Sequence, residues 1–178
     1  MRFSIVALIF IHLAIPLFSL NPKAKNGFLL KKSDVVAFVG GTDMVRMQKE
    51  GRVEAALTHR YKKARPLFRD LSWEGDTVYL QTTVSERWRR KAFGDLNGQL
   101  NKVGATVVIA QFGKIESLDG PGRLADFTKA YDKLINQLSN DDRRVALLAP
   151  PSFEWEQANG DFLKAYSNVV EELAAKRK

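Results

Sequence analysis

Three short clusters of glycines and polar side chains follow predicted strands, and their residue types are the ones suited to chemistry. They are Gly40 to Asp43, Trp73 to Thr77, and Gly113 to Glu116. Glycine after a strand permits a tight turn and lets a ligand approach the backbone, so Gly40, Gly41 and Thr42 stand where chemistry is expected. Because ligands bind beyond the carboxyl ends of parallel strands, we expect the three clusters to share one crevice.

Carboxylates in the same clusters offer a second chemistry. Asp43, Asp76 and Glu116 carry oxygen ligands of the kind that a hard cation binds. Asp43 and Asp76 equally suit the first turns of helices, where acidic side chains satisfy and complement free N–H groups, and this is the interpretation we favour. No phosphate-binding loop, dinucleotide fingerprint or histidine-rich metal motif occurs, so the sequence predicts neither a cofactor nor a bound metal.

Apolar runs that alternate with amphipathic segments predict the elements that must position these clusters. Strands are predicted at Val35 to Val39, Arg65 to Leu71, Thr106 to Phe112 and Val145 to Ala149. Helices are predicted at Met44 to Glu50, Arg52 to Lys63, Phe93 to Val103, Arg123 to Leu138 and Asp161 to Lys176. Parallel strands need crossover connections, so the alternation predicts an α/β fold, a three-layer α/β/α arrangement with a parallel sheet. Pro66 suits an edge strand.

The N-terminal residues have the pattern of an export signal. A Met-Arg start precedes an apolar run from Phe3 to Leu20, which predicts a signal peptide over residues 1–20, a polar lead-in over 21–30 and a domain over 31–178. The protein is then periplasmic or extracellular. The alternative is that the apolar run is retained as a membrane anchor, in which case the membrane is a partner.

Composition excludes several classes of function. The chain of 178 residues has no cysteine, which rules out disulfides, a thiol nucleophile and thiolate zinc sites in this chain. Its formal net charge is +8, but the basic residues are scattered and no nucleic-acid-binding motif accompanies them. We therefore expect no nucleic-acid partner.

In order and approximate spacing, the three clusters resemble the first three sequence blocks of the SGNH, or GDSL-type, esterase and acylhydrolase superfamily. The resemblance runs from Lys31 to Ala149, with Gly-Gly-Thr where Gly-Asp-Ser is usual. It implies a flavodoxin-like sheet of order 2-1-3-4-5, from which the last strand is missing here, leaving the domain incomplete at its C-terminal side. Val145 to Ala149 would then be an apolar edge strand, and such edges invite self-association.

The resemblance also implies roles for individual residues. It places Thr42 at the nucleophile position, and Gly75 and Gly41 at the oxyanion hole. Ile115 stands where the family has an asparagine that donates to the oxyanion, and isoleucine has no side-chain donor. The other residues predicted to line the crevice are Asp43, Asp76, Gly113 and Glu116.

The family's catalytic Asp-x-x-His block has no counterpart. The chain contains only His12, inside the predicted signal, and His59, which we interpret as an ordinary residue of a helix. The sequence thus favours an exported protein of the ester and acyl hydrolase lineage with weak or no activity on a small ester or acylated carbohydrate. The alternative is a non-catalytic module that binds carbohydrate or a partner, with Trp73 and Trp155 either lining a sugar cleft or buried.

Overall fold

The computed structural model describes residues 28–82, 92–153 and 160–177, which surround one parallel sheet. Its strands are β1 (Val35–Gly40), β2 (Leu67–Asp70), β3 (Val107–Gln111) and β4 (Arg144–Leu148). They lie in the order β2-β1-β3-β4, and every neighbouring pair is parallel. The predicted α/β fold class is confirmed.

Helices cover both faces of this sheet. They are α1 (Thr42–Glu50), α2 (Arg52–Arg60), α3 (Val78–Thr82), α4 (Leu96–Lys102), α5 (Leu124–Leu138) and α6 (Gly160–Ala175). Short 3₁₀ turns occur at Glu116–Asp119, Pro121–Arg123 and Asn140–Asp142. Helices α1 and α2 pack on one face, while α4, α5 and α6 pack on the other, which gives three layers. No helix in these ranges is long and apolar enough to cross a membrane.

The continuous apolar run of β1 follows from burial on two faces. Val36 and Phe38 pack against Met44 of α1, whereas Ala37 and Val39 belong to the larger core on the opposite face. All four side chains are fully buried. Burying a valine or phenylalanine side chain stabilises a fold by about 1.5–3 kcal/mol, so this central strand anchors both layers.

Two helices begin two or three residues away from their predicted starts for local reasons. Helix α1 begins at Thr42 rather than Met44, which puts the hydroxyl residue in the first turn. Helix α4 begins at Leu96 rather than Phe93, because Asp95 accepts a hydrogen bond from the Gly98 N–H at 2.7 Å and caps the helix there. The apolar spacing of Phe93 with the helix was therefore misleading.

Strand β4 forms one edge of the described sheet. Its residues are all half-buried, because β3 covers one of its edges and no further strand in the described ranges pairs with the other. A sheet that ends here fits the prediction that the last strand is missing. Self-association through this edge stays a prediction.

A buried carboxylate organises the amino ends of the strands. Asp34 accepts hydrogen bonds from the Lys31 N–H at 2.5 Å, from Thr106 Oγ1 at 2.9 Å and from Arg144 Nη2 at 2.5 Å. Arg144 also donates to the carbonyl oxygen of Leu29. The network thus joins the segment that enters β1 to the starts of β3 and β4.

The same end of the domain includes part of the predicted lead-in. Leu30 is buried against Val36 and Phe38, and Phe28 packs beside them. Tyr61 Oη donates to the carbonyl oxygen of Phe28 at 3.1 Å. The packed structure therefore extends at least to Phe28, inside the 21–30 segment.

Candidate functional site

A shallow crevice lies beyond the carboxyl ends of β1 and β3 and encloses about 260 Å³ of empty space, part of it open to solvent. In an open α/β sheet with this strand order, these are the two strands between which ligands bind. The lining residues are Gly41, Thr42, Asp43, Asp76, Gln111, Phe112, Gly113, Lys114, Ile115, Glu116 and Pro150. The three sequence clusters therefore meet as expected.

Two glycines allow the parts of the crevice to approach closely. A Cβ atom at Gly40 would lie 2.6 Å from the carbonyl oxygen of Gln111, and one at Gly41 would lie 2.7 Å from that of Asp76. Carbon atoms do not come that close to oxygen, so only glycine fits without a shift of the backbone. Gly41 is extended, and its position before Thr42 leaves the N-terminus of α1 without a side-chain cap.

Gly75 does not line the crevice but contacts Thr42, which does. A turn from Trp73 to Asp76 is closed by a backbone hydrogen bond of 3.1 Å and gives Gly75 a φ of +72°, which favours glycine. The Gly75 N–H donates to Thr42 Oγ1 at 3.0 Å. The amide that the resemblance assigns to the oxyanion hole is thus directed at the threonine hydroxyl itself.

No base is placed to activate that hydroxyl in the described part of the chain. Among the described side chains, neither an imidazole nor a carboxylate accepts a hydrogen bond from Thr42 Oγ1. His59 lies exposed on α2 and does not line the crevice. The adjacent Asp43 carboxylate instead accepts from Lys114 Nζ at 3.0 Å. Ile115 is 37% exposed at the crevice and offers no side-chain donor.

Glu116 is a structural carboxylate at the base of the crevice. It is 3% exposed, and its two carboxylate oxygens accept from the backbone N–H groups of Val78 at 2.9 Å and Gly113 at 2.8 Å. Burial raises the pKa of Glu116 above its ordinary value, and the nearby Asp76 acts in the same direction, whereas the backbone N–H donors lower it. With both oxygens occupied, Glu116 ties the turn after β3 to the start of α3.

The remaining predicted residues have mainly structural environments. Asp76 Oδ1 accepts from the N–H of Thr77 at 3.0 Å, and Thr77 Oγ1 accepts from the N–H of Leu80 at 3.3 Å in the first turn of α3. Trp73 is half-buried, packs on Phe93 with ring centroids 5.8 Å apart and does not line the crevice. Trp155 lies outside the described residues. The described side chains form no cluster of three or more histidines and acids able to hold a metal ion.

Two crevice residues escaped the sequence interpretation. Gln111 ends β3 and is 7% exposed, and its Nε2 donates to the carbonyl oxygen of Ala149 at 3.3 Å. Lys114 pairs with Asp43 and lies over the ring of Phe153, 5.3 Å from its centroid. A polar residue that closes an otherwise apolar buried strand is the signal that identifies Gln111.

Comparison with known proteins identifies a shared fold, but it comes from solved structures and not from sequence matches. No protein-family model matches the sequence, and no curated protein matches it significantly.

Several solved structures do match. LAE5, an alpha/beta hydrolase enzyme from the metagenome of Lake Arreo, Spain, has a TM-score of 0.58 and 16% identity over 82% of this chain and 74% of its own. The psychrotrophic esterase EstA from Pseudoalteromonas sp. has a TM-score of 0.54 and 14% identity over 81% of this chain and 73% of its own. A family two carbohydrate esterase from Clostridium thermocellum has a TM-score of 0.54 and 15% identity over 82% of this chain and 50% of its own. At these identities the likeness shows that this chain shares the fold of these hydrolases.

Proposed function

We propose that this chain is an exported protein of the SGNH/GDSL-type hydrolase lineage that keeps the crevice of the fold but has at most trace activity on small esters or acylated carbohydrates. The shared fold and the three sequence clusters support the lineage. The observation that carries the loss of activity is the hydrogen bond from the Gly75 N–H to Thr42 Oγ1, in a crevice where no described base accepts the proton of that hydroxyl.

Acyl transfer by a hydroxyl needs a base on one side and oxyanion donors on the other. In this crevice Asp43 is paired with Lys114, and Glu116 is occupied by two backbone amides. Ile115 offers no side-chain donor, and losing one oxyanion donor costs about 10²- to 10³-fold in rate. The threonine methyl group further restricts the approach of an acyl carbon.

The test is ester hydrolysis by the full chain. We expect no more than trace hydrolysis of p-nitrophenyl acetate, no labelling by a fluorophosphonate probe, and the same background rate in Thr42→Ala. Thr58→Ala, which removes an exposed hydroxyl from α2, is the matched control. Robust hydrolysis that disappears in Thr42→Ala but persists in Thr58→Ala would overturn the proposal.

Export rests on the Met-Arg start and the apolar run from Phe3 to Leu20. Mass spectrometry of the protein from its native host should find a new N-terminus near residues 20–26. Finding Met1 intact on a membrane-bound protein would favour the anchor instead. A soluble cytoplasmic protein with Met1 intact would contradict both interpretations.

A second candidate function, favoured by the buried polar side chain of Gln111, is non-catalytic binding of carbohydrate or a partner in the same crevice. It requires the crevice but not the hydroxyl chemistry. The two functions therefore separate in experiment, because one is read from hydrolysis and the other from equilibrium binding.

A further inference from the structure

Basic residues that are scattered along the sequence come together in the fold at the amino ends of β1 and β2. Lys31 and Lys32 lie in the segment that enters β1, and the turn that leads from α2 into β2 carries a second group over residues 60–65. The Leu67 N–H donates to the carbonyl oxygen of Asp34 at 2.9 Å, which joins the two segments directly. The fold therefore gathers these two groups at one end of the sheet, opposite the crevice.

The surface at this end, which we call the basic face, carries six exposed cations. They are Lys31, Lys32, Arg60, Lys62, Lys63 and Arg65. None of them forms an ion pair with an acid in the part of the chain that the structure describes. Residues 28–33 and 59–67 contain no aspartate or glutamate, and the neighbouring Asp34 is 5% exposed and pairs with Arg144. The positive charge of the basic face is therefore left for a partner.

Two large apolar side chains are exposed at the same end of the sheet. Leu29 is 59% exposed and lies close in sequence to Lys31, while Leu67 is 53% exposed and is the first residue of β2, shortly after Arg65. The carbonyl oxygen of Leu29 accepts from Arg144 Nη1 at 2.5 Å, so the backbone of this segment is tied to the sheet. Exposed leucines beside cations suit a lipid surface, where headgroups attract the charges and the acyl boundary takes the apolar side chains.

The N-terminal part of the sequence leads to this same end of the domain. Phe28 packs there, and its carbonyl oxygen accepts from Tyr61 Oη at 3.1 Å. Residues 21–27, which separate Phe28 from the apolar run that ends at Leu20, include two lysines and no acid. Seven extended residues reach at most about 25 Å, so a chain whose apolar run enters a membrane keeps the basic face near that membrane.

We propose that the basic face, together with Leu29 and Leu67, docks the domain on a membrane surface rich in anionic lipids. Each lysine or arginine near such a surface strengthens binding roughly fivefold, and the attraction fades within a Debye length, about 8 Å at physiological ionic strength. Six cations at one end of the domain therefore orient it with that end towards the lipid. Nucleic acid would use the cations but not the leucines, so the observations favour lipid.

This docking does not depend on what the crevice does or on whether the N-terminal run is removed. The six cations and both leucines belong to the folded domain. The crevice lies beyond the carboxyl ends of the strands, so a domain that docks through the amino ends keeps its crevice facing away from the membrane. Hydrolysis of p-nitrophenyl acetate therefore plays no part in the test.

Binding of the full chain to two kinds of vesicle is the first test. One kind is phosphatidylcholine alone, and the other is an equal mixture of phosphatidylcholine and phosphatidylglycerol. The apolar N-terminal run can enter both, so we expect the mixed vesicles to bind at least tenfold more tightly through charge, and high salt to remove that difference. Equal affinity for the two kinds of vesicle at low salt would overturn the proposal.

Amide hydrogen exchange locates the contact without any substitution, so it remains decisive even if a variant fails to fold. On the mixed vesicles, peptides that cover residues 28–33 and 59–67 should exchange more slowly than in the free protein. Peptides that cover residues 113–119, beside the crevice, should exchange as before. Protection at the crevice with none at the basic face would contradict the proposed orientation and overturn the proposal.

Charge variants separate this surface from net charge. The double variant Lys62→Gln/Lys63→Gln should weaken binding to the mixed vesicles roughly tenfold to thirtyfold. The matched control is Lys129→Gln/Lys164→Gln, which removes the same charge from exposed positions of α5 and α6 and should leave binding nearly unchanged. Equal losses in the two double variants would mean that only net charge matters, and the basic face would then have no special role.

Leucine variants separate a membrane from other polyanions. Leu29→Ser and Leu67→Ser should each weaken binding to the mixed vesicles roughly threefold to tenfold, because part of a leucine side chain no longer enters the lipid boundary. The control is Leu118→Ser, since Leu118 is 52% exposed but follows β3 at the other end of the sheet.

A double-stranded DNA oligonucleotide is the competing probe, and thermal unfolding checks that every variant is folded. We expect the oligonucleotide to bind more weakly than the mixed vesicles and to bind equally well to the leucine variants. If DNA binds as tightly as the mixed vesicles, or if the leucine variants bind those vesicles as the unaltered chain does, the basic face is a general polyanion site and the membrane proposal fails.

Discussion

The two ends of the sheet each hold a buried carboxylate, and they hold it in opposite ways. Asp34, at the amino ends, is 5% exposed and accepts from the side chains of Arg144 and Thr106. Glu116, at the carboxyl ends, accepts from backbone N–H groups alone. Burial raises the pKa of Asp34, but the hydrogen bonds and charge of Arg144, with Lys31 and Thr106, outweigh it and leave that pKa below its ordinary value. For Glu116 burial prevails and the pKa is raised.

The difference shows which end is built for stability. A guanidinium group closes the amino end, and each oxygen of Asp34 has a partner there. At the carboxyl end the ammonium of Lys114 is paired with Asp43, Glu116 has no cation of its own among the described residues, and Gln111 keeps an unpaired oxygen. The hydrogen-bonding groups at the amino ends are thus more completely paired than those at the carboxyl ends.

The largest expected effect on stability is at the amino ends of the strands, where Asp34 lies. Asp34→Ala removes the acceptor for three donors and leaves the Arg144 guanidinium without its carboxylate partner, so we expect the free energy of unfolding to fall by about 2–4 kcal/mol. Urea denaturation measures it. The control is Asp126→Ala, which breaks an exposed ion pair with Arg123 and should cost less than about 1 kcal/mol. Equal losses in the two variants would show that the amino end is not a specific network.

An effect of intermediate size is the pH dependence of stability, which should have opposite signs for Glu116 and Asp34. The raised pKa of Glu116 means that the folded state binds its proton more tightly than the unfolded state does. Its contribution to stability is therefore complete below the unfolded pKa, about 4.3, and is lost as pH rises through the raised folded value. Asp34 has a lowered pKa, so its contribution is present above the unfolded pKa of about 3.9 and is lost as pH falls through the folded value.

Two isosteric variants test this contrast. In Glu116→Gln one amide nitrogen must face a backbone N–H, so we expect a loss of about 1–2 kcal/mol that is larger in acid than at neutral pH. In Asp34→Asn the loss should instead be larger at neutral pH than in acid. Unfolding free energies from urea titrations across the acid-to-neutral range give both slopes. Slopes of the same sign would remove the distinction between the two ends.

Sequence patterns located the crevice much better than they located the Asp34 network at the amino ends of the strands. The apolar runs of β1 and β3 are readable because both faces of these strands are buried, and the glycines that follow are readable because close backbone approach excludes a Cβ atom. The Asp34 network joins residues 72 and 110 positions apart in the chain, and no local pattern encodes that pairing.

Local sequence patterns also do not predict how the groups around the crevice are oriented. Gly75 was predicted to lie near Thr42, but the direction of its N–H depends on how the Trp73 to Asp76 turn docks on the end of β1. Lys114 was part of a recognised cluster, but its neutralisation by Asp43 depends on the packing of α1 against the turn after β3. Spacing predicts which residues meet, whereas tertiary packing decides which atoms face one another.

The smallest expected effect is at Thr42 itself. Thr42→Ala removes the acceptor of the Gly75 N–H, but both residues are exposed, so water replaces the lost partner and we expect a cost of only about 0.5–1 kcal/mol. Thr42→Ser keeps the hydroxyl and should be nearly neutral. Amide hydrogen exchange at Gly75 is the direct measurement: it should be faster in Thr42→Ala than in Thr42→Ser. Because the unfolding free energy changes little, faster exchange would report the freed amide and not a general loosening. Unchanged exchange in Thr42→Ala would mean that the Gly75 N–H is not held by this hydroxyl, and the amide would then be free to serve as an oxyanion donor.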